Sequence, residues 1–127
     1  MEYCKVLTVC RSGASLYVSC NYAVAPVGEV IFSVLGTDRI LYVAIDDDLG
    51  KEYAARVVKG SGWNVKKVKV SKKNNASICY FIPKGFAHAL GLEKGSKVLV
   101  VGYNCKLEVI PISIVLKRLG CFKDPLL

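Results

Sequence analysis

Five lysines lie within eight residues near the middle of the chain, the densest group of side chains with a definite binding chemistry. They are followed by two asparagines, so that the set reads Lys66, Lys67, Lys69, Lys72, Lys73, Asn74 and Asn75. In a strand, Lys67 and Lys69 would share one face, and Val68 and Val70 the other. Ammonium groups contact phosphates and give salt-dependent affinity, whereas asparagine amides can reach base edges. The cluster therefore predicts a surface that binds nucleic acid.

Catalytic and metal-binding residue types are poorly supplied. His88 is the only histidine, so it would have to serve as the base for any nucleophilic Ser or Cys. The sequence contains neither a GxSxG motif nor a phosphate-binding loop. The acidic run 46–48 is typical of a helix cap rather than of a metal site. We expect no enzyme activity, no cofactor and no metal.

Six cysteines show no CxxC pair and no zinc-site spacing. We expect most of them to be small buried residues on strands. Disulfide bonds are still possible. The absence of Gln and the single Met are typical of proteins from hyperthermophiles, whose intracellular proteins can contain disulfides.

The net charge of +8 belongs to the second half of the chain. Residues 1–48 carry three basic and six acidic side chains, whereas residues 64–110 carry nine lysines against two glutamates. A one-sided basic cluster favours polyanionic partners. No apolar run approaches the roughly 20 residues that a membrane helix needs, and the first residues lack a signal-peptide layout. We expect a soluble, cytoplasmic protein that does not bind membranes.

Residues 76–112 carry the clearest sequence of structural signals. Pro83 cannot donate a hydrogen bond within a sheet but suits the first turn of a helix, and Gly91 suits a helix C-terminus with positive φ. These signals predict a strand at residues 78–82 and a short helix at residues 84–90. A hairpin follows, with strands at residues 97–101 and 106–109. Lys84, at the helix start, is placed to hold a further phosphate.

This order of elements resembles the DNA-binding module of the AbrB, SpoVT and MazE family. The resemblance covers residues 64–112 and is carried by Ile82-Pro83-Lys84, Ala89-Leu90-Gly91-Leu92, Lys94-Gly95-Ser96-Lys97-Val98 and Lys106-Leu107. In that family two copies interlock as swapped hairpins in a small β-barrel, and the first strand with its following loop faces DNA. The resemblance implies a mainly β fold with short helices and double-stranded DNA as the partner.

The first half of the chain repeats this arrangement in a degenerate form. Residues 30–45 align without a gap on residues 97–112, and Lys5 and Arg11 stand where the second half has its lysines. Between Cys20 and Glu29 the first half is about five residues shorter and lacks Leu-Gly-Leu, so its helix is expected to be lost or reduced to a turn. Two tandem copies would build one swapped-hairpin barrel within a monomer. If the halves do not close on each other, a homodimer is required.

The boundaries follow from this repeat and from a helical pattern beginning near Leu49. We divide the chain into a degenerate half, a linker helix with a Gly-Ser-Gly joint, a family-like half, and a C-terminal helix with a tail: residues 1–48, 49–62, 63–112 and 113–127.

The sequence departs from the family at its arginines. DNA-binding members usually carry an arginine just before the strand that leads to Ile-Pro, and arginines on the short helix; Cys79 and Ala87-His88 stand there instead. Because Arg is the better base reader, we expect affinity through phosphate contacts with modest base selectivity, or recognition by groove shape. Loss of DNA binding with the fold retained stays open.

The sequence leaves three functions open. The first is a DNA-binding transcriptional regulator. The second is a protein-interaction module, such as an antitoxin or an assembly adaptor with a protein partner. The third is an RNA-binding small barrel, in which Tyr80 and Phe81 would stack on bases, although core packing fits both residues better.

Overall fold

Residues 2–120, which the computed structural model describes, form two antiparallel sheets and three short helices. The strands are β1 Tyr3–Thr8, β2 Cys10–Ser12, β3 Ser15–Cys20, β4 Val30–Leu35, β5 Ile40–Ala44, β6 Val65–Lys69, β7 Ser71–Lys72, β8 Ile78–Ile82, β9 Lys97–Tyr103 and β10 Lys106–Pro111. The helices are α1 Asp48–Val58, α2 Lys84–Leu90 and α3 Ile112–Arg118. Strands hold 43% of the residues and helices 21%, so the predicted mainly β class is confirmed. Cys121 and the predicted tail lie outside the described residues.

Local signals place these elements close to their predicted bounds. Pro83 precedes α2, and Gly91 ends it with φ 67°, a left-handed conformation that favours glycine. Asp47 caps α1, because its carboxylate accepts a hydrogen bond from the Leu49 N–H at 3.0 Å. Asn104 and Cys105 turn the β9–β10 hairpin with φ 48° and 59°, which matches the two-residue turns that follow the twist of paired strands.

Both sheets contain strands from both halves of the chain. The six-stranded sheet has the order β1-β9-β10-β5-β4-β6 and the four-stranded sheet the order β2-β3-β8-β7. The first strand of each half thus pairs with the hairpin of the other half. Within the two hairpins the register is also the same: Ile31 faces Ala44, and the aligned Val98 faces Pro111.

The predicted closed barrel is wrong, because the sheets stay open and have free edges. The chain passes from one sheet to the other at two buried valines, Val9 and Val70, which are 1% and 0% exposed. The Val70 N–H donates to Glu29 O, and Val9 donates to Ser96 O in the same way, both at 2.8 Å. Beyond each corner the chain begins a new short strand, β2 or β7, where the sequence predicts only a turn or loop.

The main core lies between the two sheets. Its largest fully buried members include Tyr42, Tyr80, Ile31, Ile40 and Leu107. A second, smaller cluster forms where α1 covers the outer face of the six-stranded sheet, with Phe32, Val34, Val43 and Val65 buried beneath Leu49 and Tyr53.

The segment between β3 and β4 contains turns and no helix, as the sequence predicts for the degenerate half. Tyr80 from the second half holds this segment in place: its hydroxyl donates to Tyr22 O at 2.6 Å and accepts from the Val24 N–H at 3.0 Å. The Tyr22 ring in turn lies over Gly102, where an added Cβ would come within 2.6 Å of the ring. Contacts across the two halves thus hold this segment in place.

Tyr80→Phe is expected to lower the free energy of unfolding by about 1–3 kcal/mol, because it leaves the buried Val24 N–H without a partner and removes the hydroxyl that donates to Tyr22 O. Tyr53→Phe is the matched control, since the Tyr53 hydroxyl has no hydrogen-bond partner among the described residues; it should change stability by less than about 0.5 kcal/mol. Urea unfolding of both variants measures the difference. Equal stabilities would refute this role of the Tyr80 hydroxyl.

An ion-pair network joins the two hairpins and α3. Arg39 Nε lies 2.9 Å from an Asp38 carboxylate oxygen, and the same guanidinium also pairs with Glu108. Arg118 from α3 pairs with Asp38. The hydrogen bond from Arg39 lowers the pKa of Asp38, and the hydrogen bond to Glu108 raises the pKa of Tyr103 to about 12.

Ionised Asp38 is therefore expected to stabilise the fold above about pH 4, the pKa of an unfolded aspartate, and to stop doing so as the pH falls through its lowered pKa. Asp38→Asn should lower the free energy of unfolding at pH 7 by about 0.2–1 kcal/mol, as is usual for partly exposed pairs. The variant and wild-type stabilities should converge as the pH falls through the lowered pKa of Asp38. Urea unfolding between pH 7 and 2.5 measures this, and a constant gap over that range would contradict it.

Candidate nucleic-acid interface

Charge is distributed unequally between the two sheets. The hairpins that build the four-stranded sheet, residues 10–20 and 71–82, contain Arg11, Lys72 and Lys73 and no carboxylate. The ion-paired carboxylates among the described residues, Asp38, Asp47 and Glu108, lie on the hairpin and helix segments of the six-stranded sheet. The four-stranded sheet is consequently the surface that a polyanion approaches with least repulsion.

The five clustered lysines lie along one continuous margin of the molecule. Strand β6 is an edge of the six-stranded sheet, β7 is an edge of the four-stranded sheet, and buried Val70 is the corner between them. We call this margin the lysine edge; it consists of Lys66, Lys67, Lys69, Lys72 and Lys73. All five are exposed, and within residues 2–120 none of them forms an ion pair.

The strand alternation predicted for this segment is confirmed. Val68 and Val70 pack into the main core, while Lys67 and Lys69 are exposed on the other face of the strand. Lys66 lies on the core side, opposite buried Ser33, whereas Lys67 is paired with Phe32 on the side that α1 covers. The lysines therefore do not form a ridge on one face, because consecutive residues of a strand point to opposite sides.

Lys73 is held against an aromatic pair. Its Nζ donates to the Tyr17 hydroxyl and lies 4.6 Å from the centre of that ring, and the hydrogen bond raises the pKa of Lys73. Tyr17 contacts Phe81, with ring centres 5.8 Å apart. Phe81 is half-buried, whereas Tyr80 is buried in the core and cannot stack on a base. Lys73, Tyr17 and Phe81 border a shallow cavity of about 220 Å³. Its complete lining is Ser12, Tyr17, Ser71, Lys72, Lys73, Cys79 and Phe81.

The two asparagines form the tip of the β7–β8 hairpin. The Asn74 Oδ1 accepts a hydrogen bond from the Ala76 N–H at 2.8 Å, and the Lys73 N–H donates to Ser77 O at 3.0 Å. The side-chain carbonyl of Asn74 thus closes the loop, and the side-chain NH₂ group remains as a hydrogen-bond donor. Asn75 is exposed beside it.

The other three predicted basic residues lie elsewhere. Lys5 is on β1, the opposite edge of the six-stranded sheet, with Nζ 5.7 Å from the Tyr3 ring centre. Arg11 and Lys84 line a common groove of about 340 Å³, which we call the basic groove. The predicted set is therefore divided among the lysine edge with its hairpin tip, the basic groove and β1.

The basic groove also contains two residues that the sequence did not assign to binding, His88 and Lys94. Its complete lining is Arg11, Ala14, Ser15, Leu16, Ile82, Lys84, Ala87, His88, Leu92, Glu93 and Lys94. Arg11 Nε donates to Gly13 O at 2.8 Å. No sequence signal brings Arg11 near Lys94, because their proximity depends on the backbone hydrogen bonds that join Val9 to Gly95 and Ser96.

The described cysteines are all unpaired, and fewer are buried than the sequence predicts. Cys20 and Cys79 are buried, Cys10 is half-buried, and Cys4 and Cys105 are exposed. Burial raises the pKa of the Cys79 thiol to about 11, so it is neutral near pH 7. Over residues 2–120, no group of three or more potential metal-ligating His, Cys, Asp or Glu side chains comes together.

Comparison of the chain with models of protein families, with curated proteins and with solved structures gave no match. None of the helices described in residues 2–120 has both the length and the apolar content to cross a membrane.

Proposed function

We propose that this protein is a DNA-binding transcriptional regulator of AbrB-like type, which binds duplex DNA mainly through contacts between lysines and phosphates. The observation that carries the proposal is the lysine edge: five exposed ammonium groups without an ion-pair partner in the described residues, next to a sheet that lacks carboxylates. Lysines in this arrangement neutralise phosphates and give affinity with little base selectivity.

The pattern of strand pairing supports the family assignment. A chain built from two swapped hairpins must place the first strand of each half on the hairpin of the other half, and β1–β9 and β6–β4 follow this rule. The Ile82-Pro83 step, α2 and Gly91 also stand in the family's order. On this proposal, two degenerate copies in one chain replace the two subunits of a homodimer.

Titration of fluorescent duplex DNA with the wild-type protein tests the function. We expect binding that weakens steeply between about 50 and 200 mM salt, because each phosphate contact releases a counterion. Duplex RNA of the same sequence should bind less tightly, since its A-form helix sets the phosphates in a different geometry from that of duplex DNA. Absence of duplex DNA binding at 50 mM salt would refute the proposal, and tighter RNA binding would favour the RNA-binding alternative.

A protein-interaction module is the second candidate, favoured by apolar side chains at the end of α1. Val58 is 86% exposed and Trp63 is 78% exposed, and aromatic residues of this kind often anchor protein interfaces. Purification from the native host distinguishes the two functions. A stoichiometric protein partner that is lost on Trp63→Ala substitution, without any bound nucleic acid, would favour this candidate.

A further inference from the structure

Resting on the proposed DNA binding, we infer that one protein molecule binds one duplex in a single orientation, on a site that is not palindromic. Two-fold related strands normally present identical chemistry to two half-sites. Here the two ends of the four-stranded sheet carry different chemistry, although the strands that support them are related by the internal repeat.

The two ends are defined by the direction of the central strands. Strands β3 and β8 are antiparallel, with Leu16 facing Ile82 and Cys20 facing Ile78. The β2–β3 loop is therefore at the Ile82 end, and the β7–β8 loop is at the Cys20 end. We call them the groove end, with Arg11, Lys84, His88 and Lys94, and the hairpin end, with Lys72, Asn74 and Asn75. Lys73 begins at the hairpin end, but its ammonium group reaches back along the sheet to Tyr17.

Equivalent positions of the repeat differ in charge. The corner residues Val9 and Val70 correspond, because each makes the same backbone hydrogen bonds with the opposite half. Counting from these corners, the first half has Arg11, Ser12, Gly13 and Ala14 where the second half has Lys72, Lys73, Asn74 and Asn75. One of the two basic charges and both amides are therefore missing from the first-half loop.

The basic groove also has no counterpart in the first half. It requires α2, which supplies Lys84 and His88, and the turn that supplies Lys94. The segment at the equivalent place between β3 and β4 has no helix. The groove end thus offers cations on a helix and a turn, and the hairpin end offers cations and amides on a flat loop. The phosphates of a duplex are the same in both directions, so the orientation is set by the base edges within reach of the Asn74 and Asn75 amides, which only the hairpin end carries.

The dimensions fit a short duplex across the sheet. Strand β3 has six residues, or roughly 20 Å at about 3.3 Å per residue. With the loops at both ends, the surface spans about one turn of duplex, or roughly 10 base pairs at 3.4 Å each. A single molecule therefore contacts both ends of such a site.

Selection of binding duplexes from a random-sequence library, followed by light scattering and footprinting, tests this inference. We expect a 1:1 complex and a selected sequence that is not self-complementary. The variant K72A/K73A should lose protection at one end of the footprint, and K84A/K94A at the other end, each with roughly tenfold weaker binding. A 2:1 complex, a palindromic selected sequence, a selection without any base preference, or loss at the same end in both variants would overturn the inference while leaving DNA binding intact. No binding of wild-type protein to any duplex would overturn the proposed function and this inference with it.

A symmetrising variant provides the matched test. Ser12→Lys with Ala14→Asn gives the first-half loop the charge and one amide of the second-half loop, at two exposed positions. We expect tighter binding and an increase of about one in the salt slope, because one phosphate contact is added. An unchanged slope would show that this loop does not contact the duplex.

Discussion

Replacing Lys67, Lys69, Lys72 and Lys73 by alanine is expected to lower the affinity for duplex DNA by roughly 100-fold or more near physiological salt. The four lysines are exposed and have no carboxylate partner among the described residues, so no carboxylate competes with a phosphate for their ammonium groups. Phosphate contacts of this kind supply most of the affinity of a binder with little base selectivity. Fluorescence anisotropy with a labelled duplex measures the loss.

The control must remove the same charge elsewhere. The variant K51E/K59A/K117A also lowers the net charge by four, and its three positions are exposed on or next to α1 and α3. It should weaken binding by less than about fivefold, since distant surface charges are screened by salt. Equal losses in the two variants would mean that total charge, and not the lysine edge, determines binding.

Lysines on edge strands also have a second role, which must be distinguished from DNA binding. Lysine side chains on an unpaired edge prevent pairing with the edge of another molecule. Size-exclusion chromatography of the quadruple variant should therefore accompany the titration. A variant that stays monomeric and loses DNA binding supports the proposed function. A variant that keeps DNA binding but associates with itself shows that the lysines only protect the edge.

Gly50→Ala is expected to lower the free energy of unfolding by about 2–3 kcal/mol. Gly50 is buried in the first turn of α1, and a Cβ there would lie 2.0 Å from Ala44 O and 2.9 Å from Ile45 O. Both contacts are with backbone atoms that cannot rotate away, so α1 would have to move off the sheet and open the small core around Phe32 and Val65. The melting temperature should fall by about 10 °C.

Gly85→Ala is the matched control for this prediction. Gly85 is also helical, but a Cβ there meets no atom within 4 Å. Alanine costs less than glycine in a helix, so this variant should be more stable by about 0.5–1 kcal/mol. Differential scanning calorimetry of both variants shows whether each substitution lowers or raises the stability. Destabilisation of equal size by both would contradict the packing of α1 against the β5–α1 turn.

Much of the local structure follows from residues that act on their neighbours. Pro83 and Gly91 set the limits of α2, Asp47 caps α1, and the gapless alignment of the hairpins predicts their common register. Each of these signals acts over a few residues and has one dominant physical cause, so the local structure can be predicted from the sequence.

The arrangement of the site depends on contacts between distant residues. Val9 and Val70 turn the chain from one sheet into the other because both are buried between the sheets, and no local pattern distinguishes them from ordinary strand valines. The barrel prediction failed at these two corners. Contacts between distant residues also place Arg11 and Lys84 in one groove with Lys94 and His88, away from the clustered lysines.

The salt dependence of duplex binding, measured in parallel for the wild type and for K67A/K69A/K72A/K73A, tests the central claim most directly. If the lysine edge binds phosphates, the slope of log Kobs against log salt should be smaller in magnitude by about four in the variant, or about one for each lysine removed. Two parallel lines with the same slope would contradict the claim, because the four ammonium groups would then release no counterions on binding.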